Sequence, residues 1–189
     1  MPGVRILRTV ALLVTAATIP TLACSDDAAS PEEDAADTAA QVCGLLVDWS
    51  NDMTESMNAT SKTITDADDP ATANGVLLDG FDELIDLART HVDQAGELDL
   101  PDNDNSDGLV DELRAGAEKS IDELERGRAA AAELDPIDVE GQAGAIGGAM
   151  NAVESAKSVV EPVIAAYDDD VLQRAFEDEP DCLHVIQPS

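Results

Sequence analysis

Carboxylate side chains alternate with small polar residues at 102–108, in the order D-N-D-N-S-D-G. Three of them are oxygen ligands of the kind that Ca²⁺ binds in D-x-D-x-D-G loops: Asp102, Asp104 and Asp107. The register departs from that motif, because Gly108 counted as position six places Arg114 at position twelve, where a bidentate Glu is required. Helix capping by Ser106 or Asp107 is the simpler prediction, and a weak cation site is the alternative.

The two histidines, His91 and His184, belong to no metal or catalytic motif. Metal sites in carboxylate-bridged helical bundles use Glu-x-x-His, whereas Ala88 and Asp181 stand three positions before the histidines. The sequence also lacks the HExxH, GxSxG and P-loop patterns. We therefore expect a protein without a cofactor and without catalytic activity.

The segment 141–150, GQAGAIGGAM, is unusual for a helix because it is rich in glycine. Each glycine inside a helix costs about 1 kcal/mol relative to alanine, so a purely structural helix gains little from them. Gly141, Gly144 and Gly148 share one helix face. That face permits either close packing of a neighbouring helix or an open groove for a ligand. We favour close packing or a frayed helix start, with the groove as the alternative.

Residues 1–23 have the organisation of a cleavable export signal. Arg5 and Arg8 form a basic start, an apolar stretch follows over 9–19, and Pro20 interrupts it shortly before Cys24. The apolar stretch is shorter than the roughly 20 residues that a bilayer-spanning helix needs. The sequence therefore predicts an exported chain that begins close to Cys24.

The end of this signal, TLAC at 21–24, resembles the lipobox of bacterial lipoproteins, with Thr21 at the position usually held by Leu. On this motif alone, the chain resembles the small helical lipoproteins of high-GC Gram-positive bacteria. The resemblance implies a lipid on Cys24 that anchors the protein to the extracytoplasmic face of the cell membrane. Plain secretion after an ordinary signal-peptidase cut is the alternative.

The three cysteines support the lipid interpretation, because an odd number in an exported protein leaves one to explain. Lipidation would use Cys24 and leave Cys43 and Cys182 as a pair. Disulfides persist in the oxidising compartments outside the cell membrane. We therefore predict a bridge between Cys43 and Cys182.

The chain is strongly acidic, with 41 acidic against 10 basic residues and a formal net charge of −31. The basic residues are scattered, so the sequence predicts no binding to nucleic acid, which requires clustered Lys and Arg. Beyond the cysteine at its start, the segment 24–37 contains no apolar residue larger than alanine. We predict that it is a disordered acidic tether between the lipid and the domain.

Apolar residues after the tether recur at steps of three or four, which indicates amphipathic helices in a single domain over 38–189. The expected helices cover about 38–65, 70–95, 108–134 and 139–167, with a short fifth at 169–177. We find no strand-like alternation. The predicted fold is all-α, an up-down-up-down four-helix bundle followed by a short C-terminal helix.

That topology places Cys43 and Cys182 together at one end of the bundle, facing the membrane. Residues 66–75 and 136–148 then lie at the outer end. We expect a non-catalytic, surface-anchored binding or interaction module whose partner is a protein or a small molecule. The alternative is an envelope calcium-binding protein that uses its clustered acidic residues.

Overall fold

The computed structural model describes residues 30–101, 104–157 and 170–186. These ranges form the helices α1 (Pro31–Thr65), α2 (Pro70–Ala95), α3 (Asp104–Ala132), α4 (Val139–Lys157), α5 (Asp170–Asp178) and α6 (Pro180–Ile186). No strand occurs within them, so the prediction of an all-α fold is confirmed. The predicted signal, Cys24 and the predicted end of the fourth helix at 158–167 lie outside the described residues.

Helix α1 begins seven residues before the predicted start at 38, and this corrects the expected extent of the tether. The Ser30 hydroxyl accepts the backbone N–H of Glu33 at 3.2 Å, and the Glu33 carboxylate accepts the backbone N–H of Ser30 at 2.9 Å. This capping box satisfies two free amides, and Pro31 fits the first helical position. Residues 31–37 are therefore helical instead of disordered.

Helix α2 has the predicted bounds because its end signals lie in the sequence. The Asp69 carboxylate accepts the backbone N–H groups of Ala71 and Thr72 at 2.9 and 3.0 Å. Pro70 follows at the first helical position, and Gly96 ends the helix. The predicted fifth helix matches α5 to within one residue, whereas α6 was not predicted.

Consecutive helices pack against each other: α1 on α2, α2 on α3, and α3 on α4. Thr60 lies against Gly80 near one end of the α1–α2 pair, and Gln41 bonds to Asp99 at the other end. α1 and α2 therefore run in opposite directions. The core between the helices includes the following fully buried side chains: Val42, Met53, Phe81, Leu109, Leu124 and Phe176.

The C-terminal helices α5 and α6 pack on α1, where Cys43 and Cys182 form the predicted disulfide. Their Cα atoms are 5.0 Å apart across a sequence separation of 139, and both residues are buried. Close to this bridge, the Gln41 side-chain amide donates to the Asp99 carbonyl and accepts the Asp99 N–H, both at 3.0 Å. The disulfide thus links α6 to the first half of α1. The two Gln41–Asp99 hydrogen bonds link the α2–α3 connection to the same part of α1.

Candidate functional site

An apolar cleft opens between the second half of α1, the first half of α2 and helix α4. It is small, with a cavity volume of about 30 Å³. Its lining consists of Met57, Thr60, Ser61, Leu77, Gly80, Phe81, Leu84, Ile146 and Ala149. The cleft is our candidate functional site because it combines a concave shape with an apolar lining, the usual properties of ligand sites.

Helix α2 supplies the floor of the cleft. Leu77, Phe81 and Leu84 recur at helical spacing on one face, and all three are buried. Gly80 brings α1 close, because a Cβ atom at this position would collide with the Thr60 side chain. On the opposite wall, Ile146 and Ala149 belong to α4, which among the described helices packs mainly on α3 and makes few contacts with α1.

The lining residues that the structure describes are all uncharged, although the chain has a net charge of −31. The neighbouring sequence is also neutral: residues 141–153 of α4 and 56–61 of α1 contain no Asp, Glu, Lys or Arg. Met150, one turn beyond the lining residue Ile146, is 53% exposed. A neutral apolar surface thus continues from the cleft onto α4.

The three glycines of the predicted ligand face have different surroundings. A Cβ atom at Gly141 would collide with Asp138 and Leu134, so this glycine accommodates the turn that leads into α4. At Gly144 and Gly148 a Cβ atom would meet no atom of the described residues within 4 Å, and both residues are exposed. The described helices therefore do not pack closely on Gly144 and Gly148, while a frayed helix start, the other part of the favoured interpretation, stays a prediction. Both glycines lie beside the cleft and outside its lining.

The acidic loop is shorter than predicted, because α3 begins at Asp104 instead of near 108. Asp104 and Asp107 lie in the first turn of this helix, and Asp107 is exposed. The prediction that Ser106 or Asp107 caps the helix is therefore wrong, since both lie inside it. Asp102 lies outside the described residues. Within the described ranges, no three His, Cys, Asp or Glu side chains converge on a possible metal position.

A second, shallow groove between α2 and α3 contains charged side chains that pair with each other. Arg89 contacts Glu125 at 2.9 Å, and Arg128 forms a bidentate pair with Asp82, with Nη2 to Oδ2 at 2.8 Å. Hydrogen bonding to Arg128 lowers the pKa of Asp82. Since both arginines are already paired, the described part of the groove offers no free cation to an anionic ligand.

His91 lies between α1 and α2 and is 5% exposed. Its ring centroid is 5.7 Å from that of Trp49, and its Nε2 atom is 3.7 Å from an Asp52 carboxylate oxygen. Within the described part of the chain, neither ring nitrogen has a hydrogen-bond partner. Burial lowers the pKa of His91, and Asp52, Asp48 and Gln94 act in the opposite direction. The imidazole is therefore a neutral core residue at neutral pH.

Sequence reasoning missed the cleft, although one signal pointed towards it. The run 141–153 is the longest stretch without charge after residue 24. The absence of charged residues in this run is a more direct sign of the neutral surface than its glycine content is.

Within the described ranges, no helix combines the length and the hydrophobicity that crossing a bilayer requires.

The chain matches no known protein family, no curated protein and no solved structure at a significant level.

Proposed function

We propose that this protein is a non-catalytic binding module at the outer face of the cell membrane, held there by a lipid on Cys24, and that it binds its partner at the apolar cleft. The observation that carries the proposal is a neutral, concave surface on a chain with a net charge of −31. A concave surface lined mainly by apolar side chains is the usual form of a binding site. Secretion without the lipid is the alternative location.

The proposed architecture is an up-down-up-down four-helix bundle whose disulfide end faces the membrane. Three contacts support it. Thr60 meets Gly80 between α1 and α2, Arg128 pairs with Asp82 between α2 and α3, and Ser120 donates to the Ala152 carbonyl between α3 and α4. Met57 of the cleft lies about 21 Å along α1 from Cys43, at 1.5 Å per residue. The cleft would then face away from the bilayer.

We propose no reaction for the site. Among the described lining residues, Thr60 and Ser61 carry hydroxyl groups, and none could act as a base. A hydroxyl nucleophile needs an adjacent base.

Position-specific crosslinking in intact cells tests the proposal. A photoreactive amino acid would replace Ser61 at the cleft, Ala143 on the neutral face of α4, or Glu112 on the exposed side of α3. We expect a discrete crosslinked product from the first two positions and none from Glu112, and a Cys24→Ala chain should lose the membrane-associated product. Equal crosslinking from all three positions contradicts a partner site at the cleft.

The alternative proposal, an envelope calcium-binding protein, rests on the acidic residues around Asp102, Asp104 and Asp107. Calorimetric titration with calcium separates it from the first. The absence of binding heat at millimolar calcium would eliminate this alternative and leave the cleft proposal unaffected.

A further inference from the structure

The contact between α1 and α2 contains a polar ring among core side chains. His91 of α2 is buried, and within the described part of the chain neither of its ring nitrogens has a hydrogen-bond partner. Trp49 of α1 lies beside it, with the two ring centroids 5.7 Å apart. A buried polar atom without a partner costs free energy, so a hydrocarbon side chain would pack here at lower cost. What an imidazole adds to such a contact is the ability to bind a proton.

A hydrogen-bond acceptor for the protonated ring lies at the edge of this contact. The Nε2 atom of His91 is 3.7 Å from the Oδ2 atom of Asp52, which is too far for a hydrogen bond. Asp52 lies about one turn along α1 from Trp49, and its side chain is 55% exposed, so the carboxylate has room to turn towards the ring. A protonated His91 would gain a charge-assisted hydrogen bond there that the neutral ring does not make.

The groups around the ring act on its proton in opposite directions. Burial lowers the pKa of His91 and is the larger effect. Asp52 and Asp48, both carboxylates of α1, favour the protonated ring, as does Gln94 of α2. The ring is therefore neutral at neutral pH and takes up a proton only in mild acid.

The charged groups at the α2–α3 contact lie on another side of α2. Arg89 precedes His91 by two positions, which places it about 200° around the helix, and it contacts Glu125 of α3 at 2.9 Å. Helix α4 makes few contacts with α2, and its residues 141–153 carry no charge. Among the described residues, the two α1 carboxylates are therefore the charges that act most strongly on His91.

We propose that His91 is an acid-sensitive switch in the α1–α2 contact: in mild acid its ring takes up a proton from solvent, turns away from Trp49 and pairs with the Asp52 carboxylate. Trp49 then loses a neighbouring ring and becomes accessible to water. When the pH returns to neutral, the ring releases the proton and the buried contact forms again. The switch is independent of the partner proposed for the cleft.

Trp49 is the only tryptophan of the chain, so its fluorescence reports on this contact alone. The full mature chain, with its disulfide intact, would be titrated from about pH 8 to about pH 5. We expect a reversible red shift of the emission with a midpoint below about pH 6.5, while the far-ultraviolet circular dichroism stays constant. Loss of the helical signal together with the shift would mean global unfolding and would overturn the proposal.

His91→Gln is the first variant, because glutamine does not titrate in this range. Its emission should stay constant over the same titration. A transition of the same size in this variant, or no transition in the wild type, contradicts a switch at His91.

Asp52→Asn tests the pairing, because it removes the charge and keeps the size of the side chain. The midpoint of the Trp49 transition should fall by roughly 0.3–0.7 pH unit, the range that corresponds to a half-exposed ion pair. The matched control, Glu112→Gln, removes one carboxylate from the exposed side of α3 and should move the midpoint by less than about 0.2 pH unit at physiological salt. Equal midpoints in the wild type and Asp52→Asn would show that Asp52 is not the acceptor.

Discussion

At the scale of single residues, His91 is a polar group in the core whose ring nitrogens make no hydrogen bond within the described part of the chain. It is 5% exposed, and burial lowers its pKa. The unfolded chain, with an imidazole pKa of about 6.5, therefore binds a proton more readily than the folded chain does. The stability associated with the neutral imidazole is complete above about pH 6.5 and decreases as the pH falls through that value towards the folded pKa.

Replacing His91 with Gln should remove this pH dependence. We expect the free energy of unfolding of the wild type to fall more steeply than that of the variant below about pH 6.5, by about 1.4 kcal/mol per unit of pKa difference at most. Urea unfolding across a series of pH values measures both slopes. Below about pH 4 both chains should lose stability as Asp69, whose pKa is lowered by the Thr72 backbone N–H, becomes protonated. Parallel curves between pH 5 and 7 would contradict a buried neutral His91.

Gly144 and Gly148 should be replaceable by alanine with a gain in stability. A Cβ atom at either position meets no atom of the described residues within 4 Å, and alanine is preferred over glycine inside a helix by about 1 kcal/mol. We expect each substitution to raise the free energy of unfolding by up to that amount. Gly80→Ala is the matched control and should destabilise, because its Cβ atom would collide with Thr60. Destabilisation by both Gly144→Ala and Gly148→Ala would indicate a neighbour at that face.

At the scale of helices, the start of α1 depends on the Ser30–Glu33 capping box. Replacing Ser30 with Ala should cost about 1 kcal/mol and accelerate amide exchange in the first turn of α1. Hydrogen exchange with mass spectrometry measures the effect. Ser61→Ala provides the control, since alanine is favoured within a helix and no loss is expected there. Unchanged exchange over residues 31–37 in the Ser30 variant would contradict a helix start that depends on the cap.

The sequence predicts helices well where its local signals are unambiguous, as for α2 between Asp69 and Gly96. At α1 the signal was present as S-P-E-E, but the acidic composition of 24–37 favoured a tether instead. The cleft could not be predicted, because it forms where side chains of α1, α2 and α4 meet, and these helices are far apart in the sequence. Such a site depends on tertiary packing, which no fixed residue spacing encodes.

At the scale of the whole molecule, the Cys43–Cys182 bridge joins α1 to the last described helix. Closing so long a loop contributes about 5 kcal/mol in the chain-entropy model, as an upper estimate. Replacing both cysteines with Ala should therefore lower the urea midpoint and increase amide exchange in α5 and α6. Wild-type protein under reducing conditions should approach the variant. An unchanged midpoint in both would show that the bridge adds no stability.

The same bridge changes how the protein responds to a protease. The connections at 66–69, 96–103 and 133–138 all lie between the two cysteines. One cut in any of them yields two peptides that remain a single covalent molecule. A nicked chain therefore keeps its full mass on a non-reducing gel and separates into fragments only when a reductant opens the bridge.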